Sequence, residues 1–138
     1  GYATSLDLIN WNVDDNNSPL LSGSGIADMW DSSGRAGDPS VYKMGDYYFM
    51  AYYSCNADFT AAYDGLAYTT KDKFPFGWQP IDGNPILSPG SGNSYDSKYS
   101  CKPFIVNTKE HHFHFYTAVD KNDKREIGLA FSEIINKF

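Results

Sequence analysis

The sequence has no run of about 18 consecutive apolar residues, the length a membrane-crossing helix needs, so no such helix and no membrane partner are expected. It has only two cysteines, Cys55 and Cys101, and neither a CxxC pair nor a His/Cys spacing of the zinc-site kind. No metal and no cofactor are therefore expected. The two cysteines are read as buried free thiols, with a single disulfide as the alternative. Positive charge is also short: 11 Lys and Arg against 17 Asp and Glu leave a net charge of −6. Nucleic-acid surfaces draw on Lys and Arg, so that partner is excluded. Glutamate is scarce, with only Glu110, Glu126 and Glu133. No stretch carries a sustained helical period, which leaves strands. No secretory leader is visible. That settles nothing about location, and an extracellular or periplasmic setting is the expectation.

Aromatic rings are plentiful. They make up 17% of the chain, led by 11 Tyr. Flat rings with a polar tip suit wet ligands such as sugars, and the same residues are good strand formers.

The chain repeats itself. Gly1-Tyr2-Ala3-Thr4-Ser5, Gly65-Leu66-Ala67-Tyr68-Thr69 and Gly128-Leu129-Ala130-Phe131-Ser132 follow one another at intervals of 64 and 63 residues. In nearly the same register, Asn17-Ser18-Pro19-Leu20-Leu21 answers Asn84-Pro85-Ile86-Leu87, and Trp30-Asp31-Ser32 answers Tyr95-Asp96-Ser97. Asp38-Pro39-Ser40-Val41 answers Lys102-Pro103-Phe104-Ile105, and Tyr48 to Ser54 answers His112 to Ala118. The repeat units are expected at residues 1–64 and 65–127, with a third starting over 128–138.

Each unit reads as β. A short apolar strand follows the proline, over Pro39 to Lys43 and Pro103 to Asn107. A tight turn follows, and Gly45-Asp46 supplies the positive φ that such a hairpin needs. An aromatic, alternating strand comes next, from Tyr47 or His111, and then the Gly-Leu-Ala strand and a short outer one. Four short strands per unit is the pattern of a propeller blade. The expected fold is all-β, with blades of four-stranded antiparallel sheet. Two blades cannot close a ring, and an isolated pair leaves apolar faces open. The first residue is Gly, so a section of a longer polypeptide is expected. A homo-oligomer completing the ring through the open blade faces is the alternative.

The combination of Asp38-Pro39-Ser40-Val41, Gly45-Asp46-Tyr47-Tyr48-Phe49-Met50, Gly65-Leu66-Ala67-Tyr68 and Asn84-Pro85-Ile86-Leu87 resembles the five-bladed propeller glycosidases, glycoside hydrolase families 43, 32 and 68 and their relatives. Ser5-Leu6-Asp7-Leu8-Ile9-Asn10-Trp11 is similar to the S-x-D-L-x-x-W segment of many of their blades. The resemblance covers nearly the whole chain and is specific for the superfamily rather than for one family. It implies about two blades of a five-bladed propeller acting on an oligo- or polysaccharide of the arabinan, xylan or fructan kind. It also implies a funnel along the axis, where carboxylates from different blades flank the glycosidic bond.

Asp38 is the expected catalytic residue, because it stands where the resemblance places an axial Asp. Its proline neighbour predicts an extended backbone there, and a turn cap is the bland alternative. Trp30 and Tyr95 are candidate sugar-stacking rings, otherwise packing between blades. Asp31 and Asp96 are candidate sugar contacts, but their recurrence in both units favours a turn that fixes the loop. Arg35 is a candidate to hydrogen-bond hydroxyls or to pair with Asp38. Lys102 stands where an acidic residue would complete the repeat. None of the three glutamates sits where an axial proton donor belongs, so other blades are expected to supply the acid and this chain alone to be inactive. A non-catalytic carbohydrate-binding propeller and a self-assembling propeller fragment are the competing readings. His112 and His114 share one strand face, but ordinary sheet residues are the favoured reading.

Overall fold

The computed structural model describes residues 1–133, so the last five residues of the expected third unit lie outside the described residues. Among the described residues there is no helix. The described residues form nine strands: β1 (Ala3–Thr4), β2 (Asn12–Val13), β3 (Gly37–Met44), β4 (Tyr47–Cys55), β5 (Ala62–Thr70), β6 (Gln79–Pro80), β7 (Tyr99–Asn107), β8 (His111–Val119) and β9 (Arg125–Glu133).

The short strands β1 and β2 pair antiparallel with each other. Strands β3 to β6 form an antiparallel meander in sequence order. Strands β7, β8 and β9 repeat its first three members. One parallel pair, Ala62 with Tyr99, joins the two sets. Strand β7 packs across β3, β4 and β5, so the second sheet stacks on the face of the first. This is the arrangement of successive propeller blades, and the chain is an all-β partial propeller.

Local chemistry explains the recurring motifs. Gly45 takes φ 59° in the turn between β3 and β4, which an L side chain resists. Gly65 faces Tyr52 across β4 and β5, and Gly128 faces Tyr116 across β8 and β9. A Cβ on Gly65 would lie 2.6 Å from the Trp30 ring and 2.9 Å from that of Tyr52, and one on Gly128 would collide with the Tyr116 ring. The repeated glycine is therefore the seat of a tyrosine ring on the neighbouring strand. Asn84 acts as an extra strand partner: its Oδ1 accepts from Leu66 N at 2.8 Å and its Nδ2 donates to Leu66 O at 2.9 Å. At the equivalent place Ser18 Oγ accepts from Tyr2 N at 2.8 Å. In the segment from Ser5 to Trp11, Asp7 accepts from the backbone of Ile9 and Asn10, and the Trp11 indole donates to Leu8 O. These bonds, with Asn10 first, hold the Asp7 carboxyl well below the usual carboxylate range. The Trp78 indole donates to Pro75 O in the same manner before β6.

Met50, Tyr52, Ala67 and Trp78 form the core of the first sheet, with Leu20, Leu21 and Trp30 packed against it. A second cluster of Cys55, Ala62 and Cys101 lies where the two sheets meet. Both thiols are free, and burial pushes that of Cys101 up to about 11, so it is unreactive at neutral pH. The far side of the second sheet, with Phe104, Ile127, Leu129 and Phe131, is exposed.

Candidate functional site at the entry to the inner strands

Strands β3 and β7 each begin with a bulge. Register shifts between Gly37 and Ser40, and again between Cys101 and Phe104, so each strand carries one extra residue against its partner. Asp38 and Lys102 lie in these bulges with φ 46° and 63°. The extended backbone expected for Asp38 from its proline neighbour is therefore corrected to a left-handed one. The preference imposed by proline excludes mainly the right-handed helical region, and the bulge supplies a stronger demand. Asp tolerates the left-handed region better than most residues, and bulges re-aim side chains next to functional sites.

The two side chains meet. Lys102 Nζ lies 2.9 Å from Asp38 Oδ2, and both groups are about half exposed. The hydrogen bond from Lys102 to Asp38 holds the ammonium above its ordinary pKa. A cavity of about 220 Å³ opens beside the pair, lined by Arg35, Tyr53, Phe59, Tyr99, Lys102 and Arg125, with Cys55, Ala62 and Cys101 also in its wall. Arg35 stacks its guanidinium 4.5 Å from the centre of the Phe59 ring. Its backbone is fixed by Ser54 Oγ, which donates to Arg35 O at 2.6 Å.

The structure thus brings Asp38, Arg35 and Lys102 to one place. The other four candidates lie in the loops before the inner strands. Asp31 is buried and accepts from Ser24 N at 2.8 Å and Ser24 Oγ at 2.5 Å. Asp96 is buried too, and accepts from Ser94 Oγ and from Tyr116 OH at 3.0 Å. Burial, followed by the bonds to Tyr95 and Asp96, drives the Tyr116 phenol far above its ordinary pKa. Trp30 packs on Tyr52 and Tyr63 at 5.9 and 6.2 Å between ring centres, and its remaining edge lines a separate cavity with Asp28 and Asp58. The Tyr95 hydroxyl lies 2.9 Å from that of Tyr116. No glutamate lines the cavity beside Asp38. Glu126 pairs instead with Lys124 at 2.5 Å.

Two features were not anticipated from sequence. Arg125, the first residue of β9, reaches the same cavity as Arg35. Asp64 and His114, from different sheets, form a buried pair with Nε2 and Oδ2 2.9 Å apart. Burial pushes the Asp64 carboxyl up to about 6, the bond to His114 opposes this, and Asp38 adds to it. Asp64 Oδ1 has no hydrogen-bond partner among the described residues. His112 pairs with Asn107 at 2.6 Å instead of joining His114. Among the described residues no group of three or more His, Cys, Asp or Glu is placed to hold a metal ion.

An all-β partial propeller with a charged cleft at the entry to its inner strands defines the class. Comparison with solved structures narrows it to the propeller-type glycosidase fold. A structure described as a glycoside hydrolase superposes with a TM-score of 0.74 at 27% identity, over 99% of this chain and 36% of that one. A second, described as a BT0996 RGII complex, gives a TM-score of 0.74 at 26% identity with the same coverage. A putative glycoside hydrolase from Bacteroides ovatus, at 17% identity and a TM-score of 0.66 over 88% of this chain, shares the fold. The chain spans about a third of the length of the structures it matches. No family model and no curated protein matches it.

Proposed function

We propose that the protein is a glycosidase acting on an oligo- or polysaccharide of the arabinan, xylan or fructan kind, with Asp38 as an axial carboxylate. The ion pair of Asp38 with Lys102 carries this reading. It sets one carboxylate at the entry to an inner strand, fixed in direction by a bulge and facing a cation. A carboxylate held in direction by a hydrogen bond from an ammonium suits the base, nucleophile or orienting role that glycoside cleavage asks of one of its carboxylates. The proton donor that glycoside cleavage also requires comes from other blades, since no glutamate lines this cavity. Within this reading the blade repeats are residues 1–64 and 65–127, with a third beginning at 128. The likeness to the structure described as an RGII complex supports a carbohydrate ligand.

A second reading is favoured by Lys102 itself, which occupies the position of the next blade's axial carboxylate: the propeller holds glycans without cleaving them. Incubating the full-length protein with arabino-, xylo- and fructo-oligosaccharides separates the two. Release of shorter products supports the glycosidase. Binding to the same oligosaccharides without any product supports the binding protein and overturns the glycosidase.

A further inference from the structure

The chain has only two arginines, Arg35 and Arg125, in a protein of net charge −6. One stands in the loop entering β3 and the other opens β9, so they belong to different sheets, yet both line the cavity beside Asp38. Lys102 is a third cation on the same wall, and Asp38 is its partner. Four ion pairs occur among the described residues, and neither arginine takes part in any of them. Bringing both arginines to the wall of one cavity in an acidic chain, with neither in an ion pair among the described residues, sets an excess of positive charge beside it.

We infer that this cavity takes a carboxylate-bearing sugar, a uronic acid unit of the saccharide, with its carboxylate between Arg35 and Arg125. The inference rests on the reading of this cavity as a carbohydrate site and names the chemical class of what it binds. A guanidinium presents paired N–H donors in a planar fork that matches a carboxylate. The fork of Arg35 is held in advance: it lies on Phe59, and Phe59 is locked at φ 59°. An aromatic residue in that region is strained and persists only where its surroundings dictate it. Here Phe59 N donates to Asn56 O at 3.1 Å and Tyr99 OH donates to Phe59 O at 2.9 Å. Tyr53 and Tyr99 complete the wall with flat faces and hydroxyls suited to a sugar ring. At about 220 Å³ the cavity is smaller than the roughly 300–1,000 Å³ of sites for drug-sized molecules, which fits a single sugar unit.

Calorimetric titration of the full-length protein with D-galacturonate, D-glucuronate, their methyl esters and the neutral D-galactose and D-glucose tests this. The free acid of at least one pair binds roughly tenfold or more tighter than its ester, and salt reduces the difference. Arg35→Gln and Arg125→Gln, each checked for folding by circular dichroism, bring acid and ester towards the same affinity. Arg35→Lys, which keeps charge but loses the fork, falls between. Equal affinity for acid, ester and neutral sugar in the unaltered protein overturns the proposal and leaves the carbohydrate reading standing. Loss of neutral-sugar binding to the same degree as acid binding in the arginine variants also overturns it, because the arginines then serve the protein's own carboxylates. Binding of no sugar of either kind overturns both. Acetate binding as tightly as the uronates reduces the site to a general anion site and overturns the proposal too.

Discussion

Asp38 and Lys102 hold the same position in successive repeats, and they form an ion pair with each other at 2.9 Å. Each sits in a left-handed bulge just before a proline. The repeat has thus been turned into a heterologous contact: the same backbone device presents a carboxylate from one sheet and an ammonium from the next. Because both groups are about half exposed, the pair contributes little to stability. Lys102→Met should cost less than about 1 kcal/mol of unfolding free energy, as measured by urea denaturation. A much larger loss would make the pair a structural clamp.

The glycine of each Gly-Leu-Ala motif, Gly65 within β5 and Gly128 within β9, should tolerate a side chain poorly for steric reasons. Its φ is not in the left-handed region, so only space matters. Gly65→Ala and Gly128→Ala should each lower stability by about 1–3 kcal/mol through overpacking against the tyrosine ring. Relief of Gly128→Ala by Tyr116→Phe is not expected, since the whole ring fills the site. Thermal melting of the full-length protein checks both variants.

The repeated Asp of the Trp/Tyr-Asp-Ser position should behave as a loop anchor. Asp96→Ala strands the Tyr116 and Ser94 hydroxyls beside an apolar group, and a lost buried partner costs about 1–3 kcal/mol. Asp31→Ala should cost a similar amount through Ser24. Denaturation midpoints read the loss directly.

Asp64 gives the molecule a pH-dependent stability. Its folded pKa, about 6, stands above the 3.8 of an unperturbed carboxyl. Below 3.8 both folded and unfolded chains hold the proton, and the site carries no charge penalty. As pH rises from there to about 6, the unfolded chain releases the proton first, so stability falls. At about 1.4 kcal/mol per pH unit the loss amounts to roughly 3 kcal/mol at most. Asp64→Asn should flatten the stability profile between about pH 4 and 6, followed by melting temperature. An unchanged slope would show that Asp64 is not the source of the pH dependence.

Much of this fold was readable from the chain because a blade is built from local hairpins. Alternating aromatic strands, a Gly-Asp turn and a glycine recurring at one interval all act within a single repeat. What could not be read is what happens between repeats. Asp64 meets His114 because one sheet stacks on another at a particular angle, and neither residue occupies a repeated acidic or histidine position. Arg125 joins Arg35 for the same reason: one lies before a first strand and the other begins a third. The left-handed backbone of Asp38 is not legible from its proline, because a bulge is set by the neighbouring strand's register and not by the dipeptide. At the site itself, the motif brought Asp38 into view with two cations that could stand beside it, Arg35 and Lys102, and the ion pair forms with Lys102 because the two bulges face each other across the sheets.

Asp38→Asn bears most directly on the central claim. The substitution keeps size and hydrogen bonding while removing the charge. In the full-length protein it should lower the rate of oligosaccharide hydrolysis by about 10²–10⁴-fold, the usual worth of a positioned catalytic acid or base, with the fold and saccharide binding retained. A variant that cleaves as fast as the unaltered protein would contradict the account, because the carboxylate at the mouth of β3 would then have no part in the chemistry.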